Sequence, residues 1–126
     1  MATAPPVPFQ WELVDDVAVA RFLSRNIDNP RLAHEFEAQL DAMLEAVASK
    51  RMLLNFHKTK SMSSTTFATL LKFGQRVAEA HGQLAICALH PGLRMGADII
   101  GLGAVAPMFD DESSALDAMA KTATPG

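Results

Sequence analysis

Arg51-Met52-Leu53-Leu54-Asn55-Phe56-His57-Lys58-Thr59-Lys60-Ser61-Met62-Ser63-Ser64-Thr65-Thr66-Phe67 is the stretch that decides the fold class of this 126-residue chain. Arg51 to Phe56 form a short apolar run of strand length, and the polar residues His57 to Ser61 lead out of its C-terminal end. Ser63 to Thr66 then offer side-chain oxygens to the free backbone N–H groups of a helix start. Phe67, Leu70, Leu71, Gly74, Val77 and Ala78 follow at helical spacing, with Gly82 as the expected C′ residue. A strand, a loop and an amphipathic helix in that order are two-thirds of a βαβ unit.

The flanking sequence extends the same alternation. Upstream, Trp11-Glu12-Leu13-Val14 and Val17 to Phe22 read as two β segments around the acidic turn Asp15-Asp16, a hairpin at the sheet edge. Asp28-Asn29-Pro30 is a helix-start signal, and Leu32, Phe36, Leu40, Met43, Leu44 and Val47 recur on one face of a helix of about five turns. Downstream, Leu84 to Leu89 read as a buried strand, and His90-Pro91 opens a third helix carrying Leu93, Ala97 and Ile100. Met108-Phe109 reads as a last short strand, and Asp110-Asp111-Glu112-Ser113 as the acidic first turn of a final helix with Leu116 and Met119 inside. The expected fold is a single α/β domain over residues 9–121. It has a mixed, mostly parallel central sheet of about four to five strands and about four helices, the main ones on one face. Three prolines among the first eight residues give a flexible N-terminal arm over 1–8, and 122–126 is expected to be a flexible tail.

Composition narrows the function classes. Hydrophobic residues make up 49% and charged residues 20%, enough to bury one core, and the formal net charge of −3 is a poor match to a polyanion. Neither nucleic acid nor a membrane is an expected partner. The single Cys87 excludes an internal disulfide and any multi-cysteine zinc site, and its apolar surroundings suit a buried thiol in a reducing compartment. No apolar run approaches the roughly 20 residues that cross a bilayer, and the first eight residues lack the layout of a secretion signal, so the expected location is the cytoplasm.

Five hydroxyls, Ser61, Ser63, Ser64, Thr65 and Thr66, cluster at the strand-to-helix junction. Helix capping alone accounts for some of them; a phosphorylation switch is the functional alternative, because a phosphate adds about −1.5 to −2 charges at the positive end of a helix. An enzyme with Ser64 as nucleophile and His57 as base lacks the Gly-x-Ser-x-Gly elbow around the serine. His34, His57, His81 and His90 have no metal-ligand spacing, and Gly101-Leu102-Gly103 lacks the third glycine of a nucleotide loop, so no metal and no cofactor are expected. His57-Lys58-Thr59-Lys60 is either a solvated loop or a basic element in which Lys58 and Lys60 meet an acidic partner or a phosphate. Asp28 and Asn29 are expected to flank the same end of the sheet.

From about Val14 to Met119 the sequence resembles the STAS domains of bacterial anti-sigma-factor antagonists. Those domains have a strand ending Leu-Asp-Leu and then Asp-Ser-Ser-Gly opening a helix; here Leu54-Asn55-Phe56 and Ser63-Ser64-Thr65-Thr66 stand in those places. Gly82-Gln83-Leu84 is similar to the family's Gly-x-Leu strand, Pro91-Gly92-Leu93-Arg94 to its Ser-Pro-x-Val-Arg turn, and Gly101-Leu102 with Phe109 to its closing motif. The resemblance implies a non-catalytic interaction module that binds an anti-sigma factor acting as a serine kinase, or another STAS-family signalling protein, and releases it when phosphorylated. It implies Ser64 as the phosphoacceptor and Thr65 as the second hydroxyl; together with Lys58 and Lys60 of the basic loop and Asp28 and Asn29 at the same end of the sheet, the expected partner surface is Asp28, Asn29, Lys58, Lys60, Ser63, Ser64, Thr65 and Thr66. Ser63 and Thr66 replace the motif's Asp and Gly, and Asn55 the strand's Asp. A divergent STAS scaffold or small-ligand module without a phosphoswitch is therefore the alternative, and dimer formation is left open.

Overall fold

A computed structural model of the chain describes residues 7–121. Strands β1 (Phe9–Val14) and β2 (Val17–Phe22) pair antiparallel, from Phe9 opposite Phe22 to Val14 opposite Val17. Asp15 and Asp16 both have positive φ, 47° and 76°, the backbone that a two-residue hairpin turn demands and that Asp tolerates better than most residues. Strands β4 (Arg51–Asn55), β6 (Gln83–Cys87) and β7 (Met108–Phe109) extend the sheet in the order β1-β2-β4-β6-β7, all parallel to β2. This is the mixed, mostly parallel sheet that the alternating sequence requires, with four α-helices around it.

The two faces follow from the period of two along each strand. Ala18, Ala20 and Phe22 of β2, Met52 and Leu54 of β4, and Leu84 and Ile86 of β6 form one core with helices α1 (Ala33–Ala46), α2 (Ser64–Glu79) and α3 (Pro91–Ile99). The alternate residues Val17, Val19, Leu53, Ala85 and Cys87 form a second core, covered by Ala115 and Met119 of α4 (Glu112–Lys121). The main helices thus share one face, and the short α4 closes the other.

Four details depart from the sequence reading. Val7 and Pro8, placed in the arm, are held: Val7 is buried, exchanges two hydrogen bonds with the Gln39 amide at 3.0 and 2.9 Å, and the Pro8 carbonyl accepts from the Leu23 N–H. The rest of the expected arm and the expected tail fall on residues outside those described. Helix α1 is shorter than about five turns, because Pro30–Leu32 wind as a tight 3₁₀ turn capped by the Asn29 side chain before α1 begins. The C′ residue of α2 is His81 rather than Gly82: His81 has φ of 60°, its N–H bonds the Ala78 carbonyl, and the Gly82 N–H bonds the Val77 carbonyl. Glycine is required one residue later for a different reason, since a Cβ there would lie 2.1 Å from the Lys50 carbonyl oxygen. Finally, β3 (Asn26–Ile27) and β5 (Ser61–Met62) form a separate parallel pair.

Candidate functional site

The loops after β2 and β4 leave the sheet at the same end, and the β3–β5 pair ties them together. The Lys60 N–H bonds the Arg25 carbonyl at 2.6 Å, the buried Thr59 hydroxyl bonds the Ser24 carbonyl at 2.8 Å, and the Ser63 N–H bonds the Ile27 carbonyl. The Ser61 hydroxyl lies 2.8 Å from Asn26 Oδ1 and 2.9 Å from Asp28 Oδ2. Asp28 is therefore beside the hydroxyl cluster, while exposed Asn29 accepts from the Arg31 N–H as a cap. Lys58 and Lys60 are exposed, and neither forms an ion pair among the described residues.

The four consecutive hydroxyls at the start of α2 divide into two pairs. Ser63 is the N-cap, its Oγ accepting from the Thr66 N–H at 3.1 Å. Thr66 is buried and its hydroxyl donates to the Ile27 carbonyl at 2.6 Å, so the 2.9 Å contact between the two hydroxyls has Ser63 as donor. Both hydroxyls are committed to architecture. Ser64 is exposed, opens the helix, and its side chain bonds nothing among the described residues. Thr65 is half-buried, and its side chain is likewise without a bond there. Replacement of the family's Gly by Thr66 has a structural use: its hydroxyl fastens α2 to β3.

Asn55 performs a second linkage. Its Oδ1 accepts from the His57 N–H at 2.9 Å, and its Nδ2 donates to Glu112 Oε1 at 2.9 Å. Glu112 also accepts from Arg21 Nε and Nη2, each at 2.9 Å, and Arg21 reaches Glu12 at 3.2 Å. An Asp at position 55 would set a second carboxylate against Glu112, whereas the amide supplies a donor. Sequence reasoning missed Arg21 and Glu112 as a pair; they are 91 residues apart, and Glu112 read only as a first-turn acid. Hydrogen bonds from Arg21, then from Asn55, hold the Glu112 carboxyl below its ordinary range against the opposing effect of burial. A depressed folded-state pKa stabilises the fold above the unfolded value and loses that contribution as pH falls through the lower one. Urea unfolding between pH 6 and pH 3 is therefore expected to show a loss of stability on acidification that Glu112→Gln makes shallower.

No hydrogen bond joins His57 to Ser64 among the described residues, and none of those residues form a group of three or more metal-ligating side chains. Burial, reinforced by Glu112 and Asp111, pushes the Cys87 thiol up to about 12, so it is protonated and unreactive at neutral pH. The cavity among Asn26, Asp28, Leu32, Phe36 and Thr66 holds about 30 Å³, the space of a water molecule. The site is a surface of loop and helix end, not a pocket.

Residues 21–115 match the STAS domain family, and the chain belongs to it. No curated protein sequence matches. Among solved structures, the chain is similar to an anti-sigma-factor antagonist (STAS) domain protein from Planctomyces limnophilus, with 17% identity over 94% of this chain and 99% of that one and a TM-score of 0.77. It is similar to an anti-sigma factor antagonist from Mycobacterium paratuberculosis, with 20% identity, 93% and 97% coverage and a TM-score of 0.74. It is also similar to the Bacillus cell fate determinant SpoIIAA in its phosphorylated form, with 21% identity, 89% and 99% coverage and a TM-score of 0.66. At these identities the structural likeness establishes the fold.

Proposed function

We propose that this chain is a non-catalytic, cytoplasmic interaction module of bacterial signalling that resembles an anti-sigma-factor antagonist. It binds an anti-sigma factor with serine kinase activity through Asp28, Asn29, Lys58, Lys60 and Ser63 to Thr66. Phosphorylation of Ser64 releases the partner. The observation that carries the reading is the Ser64 hydroxyl, exposed and without a bond among the described residues at the first residue of a 16-residue helix, while Ser63 and Thr66 on either side of the Ser64-Thr65 pair are hydrogen-bonded. In the phosphorylation step the Ser64 oxygen bonds to the γ-phosphorus of ATP, ADP leaves, and the hydroxyl proton is lost to solvent. The product charge sits at the positive end of the α2 dipole, which favours it, yet it adds bulk and about −1.5 to −2 charges to a docking surface.

The helix start is held to β3 by the Thr66 and Ser63 bonds, so the charge falls on a fixed surface rather than a loose loop. A partner that fits the neutral surface then meets a desolvation and repulsion cost. The alternative, a constitutive scaffold, draws on Ser63 and Thr66 in place of the motif's Asp and Gly. Incubation with extract from the native host and labelled ATP separates the two readings. The wild-type chain and Thr65→Ala are expected to take up one phosphoryl group and Ser64→Ala none; undiminished label on Ser64→Ala removes Ser64 from the account, and no label on any chain supports the scaffold.

A further inference from the structure

The edge of β6 is only half covered. Strand β7 pairs with Ile86 and Cys87 alone, and the chain before it is wound in a 3₁₀ turn at Leu102–Ala104. The hydrogen bonds on either side fix the parity of β6: the Gln83 N–H points to Lys50 beside β4, whereas the Ile86 and Ala88 N–H groups point the other way, to Pro107 and Phe109. The Leu84 N–H and C=O therefore point outward with Ile86. Among the described residues no backbone carbonyl receives the Leu84 N–H, and Pro107, the residue facing the Leu84 carbonyl, has no N–H to give. Leu84 is nevertheless only 4% exposed, so a backbone donor and acceptor stand without a partner among the described residues at a nearly dry position, where such groups ordinarily find partners.

They open into a cavity of about 260 Å³ between α2 and α4. Gly74, with Val105 packed on it, and Ala78 line it from the side of α2, Ala118 and Met119 from α4, and no charged side chain lines it among the described residues. We infer that this slot binds an extended, uncharged peptide segment of a partner protein, added as a strand to the free edge of β6. A donor and an acceptor on one residue, aimed in one direction along a strand edge, are complementary to another extended backbone. Gly74 is packed against Val105, so the depth for a backbone and small apolar side chains lies between the small Ala78 and Ala118 side chains, and the uncharged lining gives no counter-ion to a charged one. The slot lies toward the sheet end opposite the start of α2, so binding there is independent of the state of Ser64.

The test is a titration of the full, isotopically labelled chain with acetyl-Val-Ala-Val-amide, followed by the Leu84 amide resonance. The expected result is a saturable downfield shift of the Leu84 amide proton and at least tenfold slower hydrogen exchange there. Ala118→Phe, which fills the slot from α4, is expected to abolish both while leaving the β2 and β4 resonances in place. The same peptide N-methylated at its central alanine, unable to serve the Leu84 carbonyl, is expected to bind at least tenfold more weakly. No saturable shift at Leu84, or equal binding by the N-methylated peptide, overturns the inference. So does a Leu84 amide that is protected without peptide and exposed in a chain ending at Lys121, because the chain's own last residues then fill the slot.

Discussion

Phe22→Ala is expected to destabilise the domain by about 3–5 kcal/mol, the range for removing a fully buried aromatic side chain. Phe22 is 1% exposed and sits at the centre of four rings: stacked on Phe9 at 5.0 Å and on Phe56 at 4.5 Å, and edge-on to Phe36 at 5.7 Å. These rings belong to β1, to α1, and to the residue that leaves β4 for the site loop. One substitution thus removes contacts that join β1, β2, α1 and the start of the site loop, and such pairs contribute beyond their area alone. For a domain of this size the loss corresponds to a fall in Tm of roughly 10–20 °C. Leu13→Ala, at a side chain 62% exposed on the edge strand, is expected to change stability by no more than about 0.5 kcal/mol. Urea unfolding of both variants checks the pair, and a Phe22→Ala cost below about 1 kcal/mol contradicts a ring cluster that anchors the site.

Ser64→Asp carries the largest expected functional effect. Under the proposed switch it weakens the partner complex at least tenfold, about 1.4 kcal/mol, whereas Ser64→Ala, which keeps the surface neutral, changes affinity less than threefold. The asymmetry arises because the Ser64 hydroxyl bonds nothing among the described residues, so its loss costs no architecture there. Ser63→Ala behaves differently: it removes the N-cap and the bond to Thr66, and is expected to lower stability by about 1 kcal/mol. Calorimetric titration with the captured partner distinguishes the three. Equal affinity for the Ala and Asp variants at position 64 supports a scaffold without a switch.

The parts legible in the sequence are those whose signal is local. The apolar runs at Arg51 to Asn55 and Leu84 to Cys87 became strands, and the helical spacing from Phe67 to Val77 became the buried stripe of α2, because periodicity reports which face meets the core. That a hydroxyl among Ser63 to Thr66 caps α2 is legible from the cluster at the helix start; that it is Ser63 shows only in the structure. What escaped depends on contacts far apart in sequence. Two-residue strands such as Asn26–Ile27 and Ser61–Met62 have no period to read, although their pairing is what holds Asp28 beside the hydroxyl cluster. The division of the hydroxyls into bonded and free pairs depends on the Ile27 carbonyl, 39 residues from Thr66. The proline neighbours of Val7 signal a loose arm, and only the Gln39 amide on α1 shows why Val7 is held. Gly82 in sequence signals a helix end; the close approach of the Lys50 carbonyl is not visible in either segment alone.

The most direct test of the central claim is the intact mass of the protein isolated from its native host, in growth and under stress, with site-resolved peptide mapping across Ser61 to Thr66. The account predicts a chain carrying one phosphoryl group on Ser64 in one condition and unmodified in the other, with Ser63 and Thr66 unmodified in both. An unmodified chain in both conditions, or a phosphoryl group on the bonded Ser63 or Thr66, contradicts it.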